Sequence, residues 1–100
     1  MKIALDFDNT ITRDPTFWIG FVNAARAAGH EVKVVTSRHP GLPIPIVGIE
    51  VIYCSFTAKR KHWDADVWID DDPKHVDKDH GETDVEHIMG VLPPVDHHPV

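Results

Sequence analysis

The apolar runs of this chain are short, and three of the four end on reactive polar side chains. Lys2-Ile3-Ala4-Leu5 leads into Asp6-Phe7-Asp8-Asn9-Thr10, Val32-Lys33-Val34-Val35 into Thr36-Ser37-Arg38, and Val67-Trp68-Ile69 into Asp70-Asp71-Asp72. Short apolar runs bounded by polar residues predict buried strands, and strands covered on both faces belong in a parallel sheet. Between the first two runs, Asp14 reads as a helix N-cap with Pro15 at the first helical position. Phe17, Trp18, Phe21, Val22, Ala25 and Ala28 follow at helical spacing as one apolar face, and Gly29 supplies the C-terminal stop. Strand, helix and strand make a βαβ unit, for which a right-handed crossover is expected.

The next stretch is less regular. Pro40, Pro43 and Pro45 argue against an ordinary helix over 39–47. A third strand is expected over Val47 to Tyr53, with Ile49 as an alternative start, and Ser55 to Trp63 has room for one or two helical turns. Asp72-Pro73 repeats the cap-plus-proline signal and predicts a short helix. Beyond His80 the pattern selects neither strand nor helix, and Pro93, Pro94 and Pro99 suggest an extended tail over 92–100. Strands alternating with helices imply an α/β sandwich around a small parallel sheet.

Composition narrows the function classes. With 100 residues the chain is expected to form a single domain, 1–100, with a modest core. The net charge of -6 argues against a dedicated nucleic-acid binder, whose footprint is a basic face. No apolar run approaches the ~18 residues of a membrane span, and the first run is cut at Asp6, too early for a signal-peptide core. Cys54 is the only cysteine, so an internal disulfide is excluded and a reducing, cytoplasmic setting is expected.

The strand-end acids carry the chemistry. In open α/β sheets, sites form at the carboxyl ends of the strands. Asp6 and Asp8 lie two apart, so their side chains share a face along extended backbone. Gathered carboxylates raise one another's pKa unless a cation sits between them, and a hard divalent ion such as Mg²⁺ suits all-oxygen ligands. Taken singly, acids at strand ends are commonly solubilising turn residues, and Asp-Asp-Asp-Pro is commonly a helix cap. Their joint order, each cluster at a strand terminus, favours a site. Lys59 and Lys61 precede the last acidic cluster and can neutralise a nearby phosphate.

On these residues the chain resembles the haloacid dehalogenase superfamily of phosphotransferases. Asp6-Phe7-Asp8-Asn9-Thr10 matches its Asp-x-Asp-x-Thr first motif, Thr36 the Thr or Ser of the second, Lys59 or Lys61 the third, and Ile69-Asp70-Asp71 the Asp-Asp form of the fourth. The resemblance covers Asp6 to Asp71 and implies a three-layer Rossmann-like sandwich, the minimal core of that superfamily. It implies Asp6 as the nucleophile that becomes an aspartyl-phosphate, and Asp8 as general acid and then base. It implies Mg²⁺ held by the Asp6 carboxylate, the Asp8 backbone carbonyl and Asp71, with Asp70 supporting. Thr36 would bond the transferring phosphoryl oxygens and the lysine, Lys59 in preference to Lys61, would offset their charge. Asn9, Thr10, Ser37 and Arg38 are the expected substrate contacts. Asn9 replaces a glycine common in relatives, a change that a tight turn tolerates.

The gaps between Asp8 and Thr36, and between Thr36 and Lys59, are filled by core elements, so the chain resembles the members without a cap domain. An open site suits a phosphorylated nucleic-acid end or protein, and a small molecule if a second copy of the chain covers the cleft. The expected function is a Mg²⁺-dependent phosphatase. The alternative is a non-catalytic metal- or phosphate-binding interaction module of the same fold. A phospho-acceptor receiver domain fits less well, because there the acidic pair precedes the single acceptor Asp. Among the remaining residues, Trp18 and Trp68 read as core or rim and Trp63 as core, rim or a cover for the site. Lone histidines such as His39 and His62 read as solvated or structural before they read as substrate contacts. His97-His98 reads as tail, Arg13 as a weaker phosphate contact, and Cys54 as a buried, inert strand residue.

Overall fold

The computed structural model describes residues 1–81. Four parallel strands form one sheet: β1 (Lys2–Leu5), β2 (Glu31–Thr36), β3 (Val51–Tyr53) and β4 (Val67–Ile69), in the order β3-β2-β1-β4. A single α-helix, α1 (Pro15–Ala27), joins β1 to β2. The fold is thus a compact α/β arrangement, with short 3-10 turns at 11–13, 59–61 and 73–76. The expected tail over 92–100 and His97-His98 lie outside the described residues.

The strand pattern follows from which side chains alternate. Ile3 and Leu5 of β1 and Val32 and Val34 of β2 join Val22 and Ala25 of α1 in one buried cluster. Ala4 and Val35 point to the opposite face, where Cys54 and Ala65 cover them with Ile52, Trp63 and Trp68 packed around. Burial on both faces is what makes these runs continuously apolar. The helix starts as its sequence specifies: Asp14 Oδ1 accepts from the Phe17 N–H at 3.3 Å, with Pro15 next in line. Gly29 takes a φ of 92° just past the helix end, the left-handed geometry that a side chain resists.

Two expectations are corrected. Phe17 does not belong to the buried face of α1; it is 58% exposed, its ring set edge-on against Trp18, because only Val22 and Ala25 of the helix reach full burial. The third strand begins at Val51, not at 47 or 49, since Gly48 with φ 82° bends the chain and leaves Val47 92% exposed. The short helix expected after Asp72 is present as a 3-10 turn, Pro73–Val76, though Asp72 makes no side-chain cap bond. Cys54 is fully buried but stands one residue past β3, where its N–H bonds the Thr36 carbonyl at 2.8 Å. Among the described residues no helix is long and apolar enough to cross a membrane.

Strand register sets up the site. Leu5 lies opposite both Val34 and Ile69, so the residues that follow β1, β2 and β4 emerge side by side at one edge of the sheet. The Asp6 N–H, bonded to the Ile69 carbonyl at 3.0 Å, extends that pairing by one residue.

Candidate active site

A cavity of about 660 Å³ opens at the carboxyl edge of the sheet. Asp6 and Asp8 after β1, Ser37 and Arg38 after β2, and Asp70, Asp71 and Asp72 after β4 all line it, together with Lys59. Three short strands in one register thus collect residues that the sequence separates by more than sixty positions.

Asp6 and Lys59 form its floor. Lys59, its side chain 3% exposed, is carried on the 3-10 turn at 59–61, and its Nζ donates to Asp6 Oδ1 at 2.8 Å and to Asp70 Oδ2 at 2.5 Å. One cation therefore serves two buried carboxylates. Burial dominates at Asp6, whose carboxyl is pushed up to about 7; the Lys59 charge pulls against that shift and the Asp70 charge adds to it. Lys59 stays protonated: burial disfavours its charge, but the attraction of Asp6 and Asp70 outweighs burial and holds its pKa above the ordinary value. The Thr10 hydroxyl donates to the second Asp6 oxygen at 3.1 Å, so both oxygens of that buried carboxylate are engaged.

Asp6, Asp70 and Asp71 each offer a carboxylate oxygen within 4.8 Å of the others, the one such group of potential metal ligands among the described residues. An all-oxygen carboxylate set of this kind fits a hard divalent cation. Asp71 is exposed to the cavity, while Asp70 is further fixed by the Asp72 N–H at 3.0 Å.

Asp8 points elsewhere. Its two oxygens accept from Arg38 Nη2 at 2.7 Å and Nε at 2.9 Å, a bidentate fork. The hydrogen bond to Asp8 raises the pKa of the guanidinium further. Arg38 also donates from Nη1 to the carbonyls of Leu42 and Pro43, at 3.2 and 3.1 Å, and stands over the Phe7 ring at 5.3 Å. One arginine therefore ties Asp8 to the proline-rich loop, whose Ile44 is buried in the core and whose Leu42 is among the residues lining the cavity.

The remaining expected residues separate cleanly. Asn9 lines the cavity in the left-handed region, φ 63°, with its N–H on Thr12 Oγ1 at 2.8 Å. Thr36 is buried and not part of the cavity lining; its hydroxyl oxygen accepts from the Arg38 N–H at 3.2 Å, and the next residue, Ser37, lines the cavity instead. Lys61 is exposed and paired with Asp79 at 3.0 Å, away from Asp6, so Lys59 is the lysine that the fold brings to the acids. Arg13 lies exposed at the end of its turn, His39 holds the Gly41 N–H, and His62 bonds the Thr57 hydroxyl at 2.6 Å; none of the three lines the cavity. Trp63 packs on the far face of the sheet under Lys33, so it does not cover the site.

Sequence reasoning missed His75, His80, Leu42 and Thr12, all in the cavity wall. His75 and His80 stack at 3.5 Å between ring centroids, and His80 Nε2 lies 2.9 Å from Ser37 Oγ. The signal for His75 was available: it sits three residues after Asp72, one 3-10 turn onward, and so returns to the edge that Asp72 occupies. A turn with two successive left-handed residues, Ser55 at φ 50° and Phe56 at φ 63°, fastens this wall. Their N–H groups bond the Arg38 and Ser37 carbonyls at 3.1 and 2.8 Å, and the Phe56 ring meets His80 edge-on. Local strain held by surrounding bonds is a common companion of functional sites.

Compared with protein-family models, curated proteins and solved structures, the chain matches none. The resemblance to the haloacid dehalogenase superfamily therefore rests on its motif residues.

Proposed function

We propose that this chain is a Mg²⁺-dependent phosphohydrolase of the haloacid dehalogenase type, with a minimal Rossmann-like core and no cap, acting through an aspartyl-phosphate on Asp6. The observation that carries the reading is the meeting of Asp6, Asp70, Asp71 and buried Lys59 at one end of one cavity. Asp6, Asp70 and Asp71 would hold the cation, which when bound supplies positive charge against the phosphoryl oxygens. An Asp6 oxygen attacks phosphorus as the bond to the leaving oxygen breaks, and Asp8 protonates that oxygen. Water then attacks phosphorus, its proton passes to Asp8, and Asp6 and inorganic phosphate are released. Lys59 offsets charge on the phosphoryl group throughout. Asp8 takes part only after the Arg38 fork loosens, and Arg38 is then placed to meet a phosphoryl oxygen. Cytoplasmic residence belongs to the same proposal and rests on the single free cysteine.

That fork also favours the second reading, a non-catalytic module that binds metal or phosphate, because it engages the acid needed for proton transfer. Release of p-nitrophenol from its phosphate ester with Mg²⁺ separates the two. The wild type turns over, Asp6→Asn is inactive, and Asp8→Asn is slowed by about 10²–10⁴. Equal rates in all three proteins would refute the mechanism.

A further inference from the structure

We infer that the natural substrate is a phosphomonoester of a small alcohol or phenol that carries no further negative charge, and not a polyanion such as a phosphorylated nucleic-acid end. The inference rests on the phosphohydrolase reading and deepens it. Five carboxylates, Asp6, Asp8, Asp70, Asp71 and Asp72, face the cavity against two permanent cations, Lys59 and Arg38. Counting the Asp, Lys and Arg side chains, five negative charges against two positive leave -3 on the wall. Both cations are already engaged, Lys59 between Asp6 and Asp70, and Arg38 on Asp8 and two backbone carbonyls.

A divalent cation on the Asp6, Asp70 and Asp71 carboxylates would reduce that excess to one negative charge. A second anionic group on the leaving alcohol would then lie within a Debye length, about 8 Å at physiological ionic strength, of a wall still negative. The chain as a whole, at -6, adds a field of the same sign. Size points the same way. A cavity of about 660 Å³ lies in the ~300–1,000 Å³ range of small-molecule sites. Leu42, its carbonyl held by Arg38, is among the residues lining that cavity. The charge of the wall thus outweighs the openness of the site, which by itself suits large substrates.

The test compares p-nitrophenyl phosphate with a 5′-phosphorylated oligonucleotide, with Mg²⁺ near pH 8, at low and high salt. One like charge at about 8 Å is worth roughly 2-fold in bulk water and roughly 30-fold at the effective dielectric of a protein surface. The expected kcat/KM therefore favours p-nitrophenyl phosphate by a factor in that range for each added charge, and the gap narrows as salt rises. Asp72→Asn, which removes one wall charge outside the three carboxylates assigned to the cation, narrows it further. Binding of benzylphosphonate and of an oligonucleotide ending in a 5′-phosphonate, measured calorimetrically on Mg²⁺-loaded protein, reads the same preference without turnover. Preference for benzylphosphonate without release of p-nitrophenol would support the ligand class and refute the phosphohydrolase reading. Equal or tighter binding of the oligonucleotide, a gap that widens with salt, or binding of neither phosphonate would overturn the inference.

Discussion

Replacing Asp6 with Asn should stabilise the metal-free protein near pH 8 while abolishing its function. Asp6 is buried, and its carboxyl is pushed up from 3.8 to about 7, first by burial and then by Asp70, against the pull of Lys59. A folded-state pKa above the unfolded value means that the protonated form is the one the fold favours. The stability linked to this group is complete below about pH 4 and is lost as pH rises through about 7. At 1.36 kcal/mol per unit the full shift is worth on the order of 4 kcal/mol. Asn keeps the shape, removes the charge and leaves Lys59 paired with Asp70 alone, so about 2–4 kcal/mol is a reasonable net gain at pH 8. The Thr10 hydroxyl, which donates to Asp6, can turn to accept from an Asn amide. In a domain of this size each kcal/mol moves Tm by roughly 4–8 °C, so thermal unfolding should show a rise of about 10 °C or more. Mg²⁺ should raise the wild-type Tm at pH 8 and leave the variant almost unchanged, since a cation relieves the same repulsion. A wild-type Tm flat between pH 4 and 7, or an Asn variant less stable than wild type at pH 8 without metal, would refute the electrostatic account of this buried acid.

Other perturbations follow from the same geometry. Lys59→Met strands two buried carboxylates and should cost about 3–5 kcal/mol in denaturant unfolding, in part recovered by Mg²⁺, whereas Lys61→Met should be near neutral. Gly29→Ala forces a side chain into a left-handed φ and should lower stability by about 1–2 kcal/mol, read by the same unfolding curves. Leu5→Ala empties a fully buried position at the C-terminal end of β1 and should cost about 2–5 kcal/mol. Arg38→Lys gives up the planar guanidinium proposed to meet a phosphoryl oxygen and releases the Leu42 and Pro43 carbonyls, so kcat/KM for p-nitrophenyl phosphate should fall with little change in Tm.

Much of this architecture was legible because two periodicities and a few punctuating residues decide it. The alternation of Ile3, Ala4 and Leu5 between two buried clusters is what a short, wholly apolar run encodes. Asp14-Pro15 and Gly29 mark the helix ends by backbone chemistry that acts locally. Phe17 misled because helical spacing says which residues share a face but not how much of that face the sheet can cover. The start of β3 was missed because Gly48, one residue with a positive φ, outweighed a run of β-branched neighbours. At the site, Asp6, Asp70 and Asp71 were readable from the strand ends, whereas Lys59 stood beside Lys61 as an alternative that only the fold separates, by pairing Lys59 with Asp6 and Lys61 with Asp79. Thr36 and Arg38 were not assigned their observed contacts, since which hydroxyl faces the cavity, and which acid an arginine grips, depend on turns that carry no pattern. Leu42 and His80 lay in segments where prolines, or the absence of a period, removed the signal.

On the proposed mechanism, Asp6 becomes covalently phosphorylated during turnover. Rapid acid quenching during turnover of p-nitrophenyl phosphate, followed by borohydride reduction, converts an aspartyl-phosphate to homoserine, which mass spectrometry of the peptide bearing Asp6 reads directly. Homoserine is expected at Asp6 only when both Mg²⁺ and substrate are present, and none at Asp8, Asp70 or Asp71. Steady release of p-nitrophenol with an unmodified Asp6, or reduction at another acid, would contradict that mechanism.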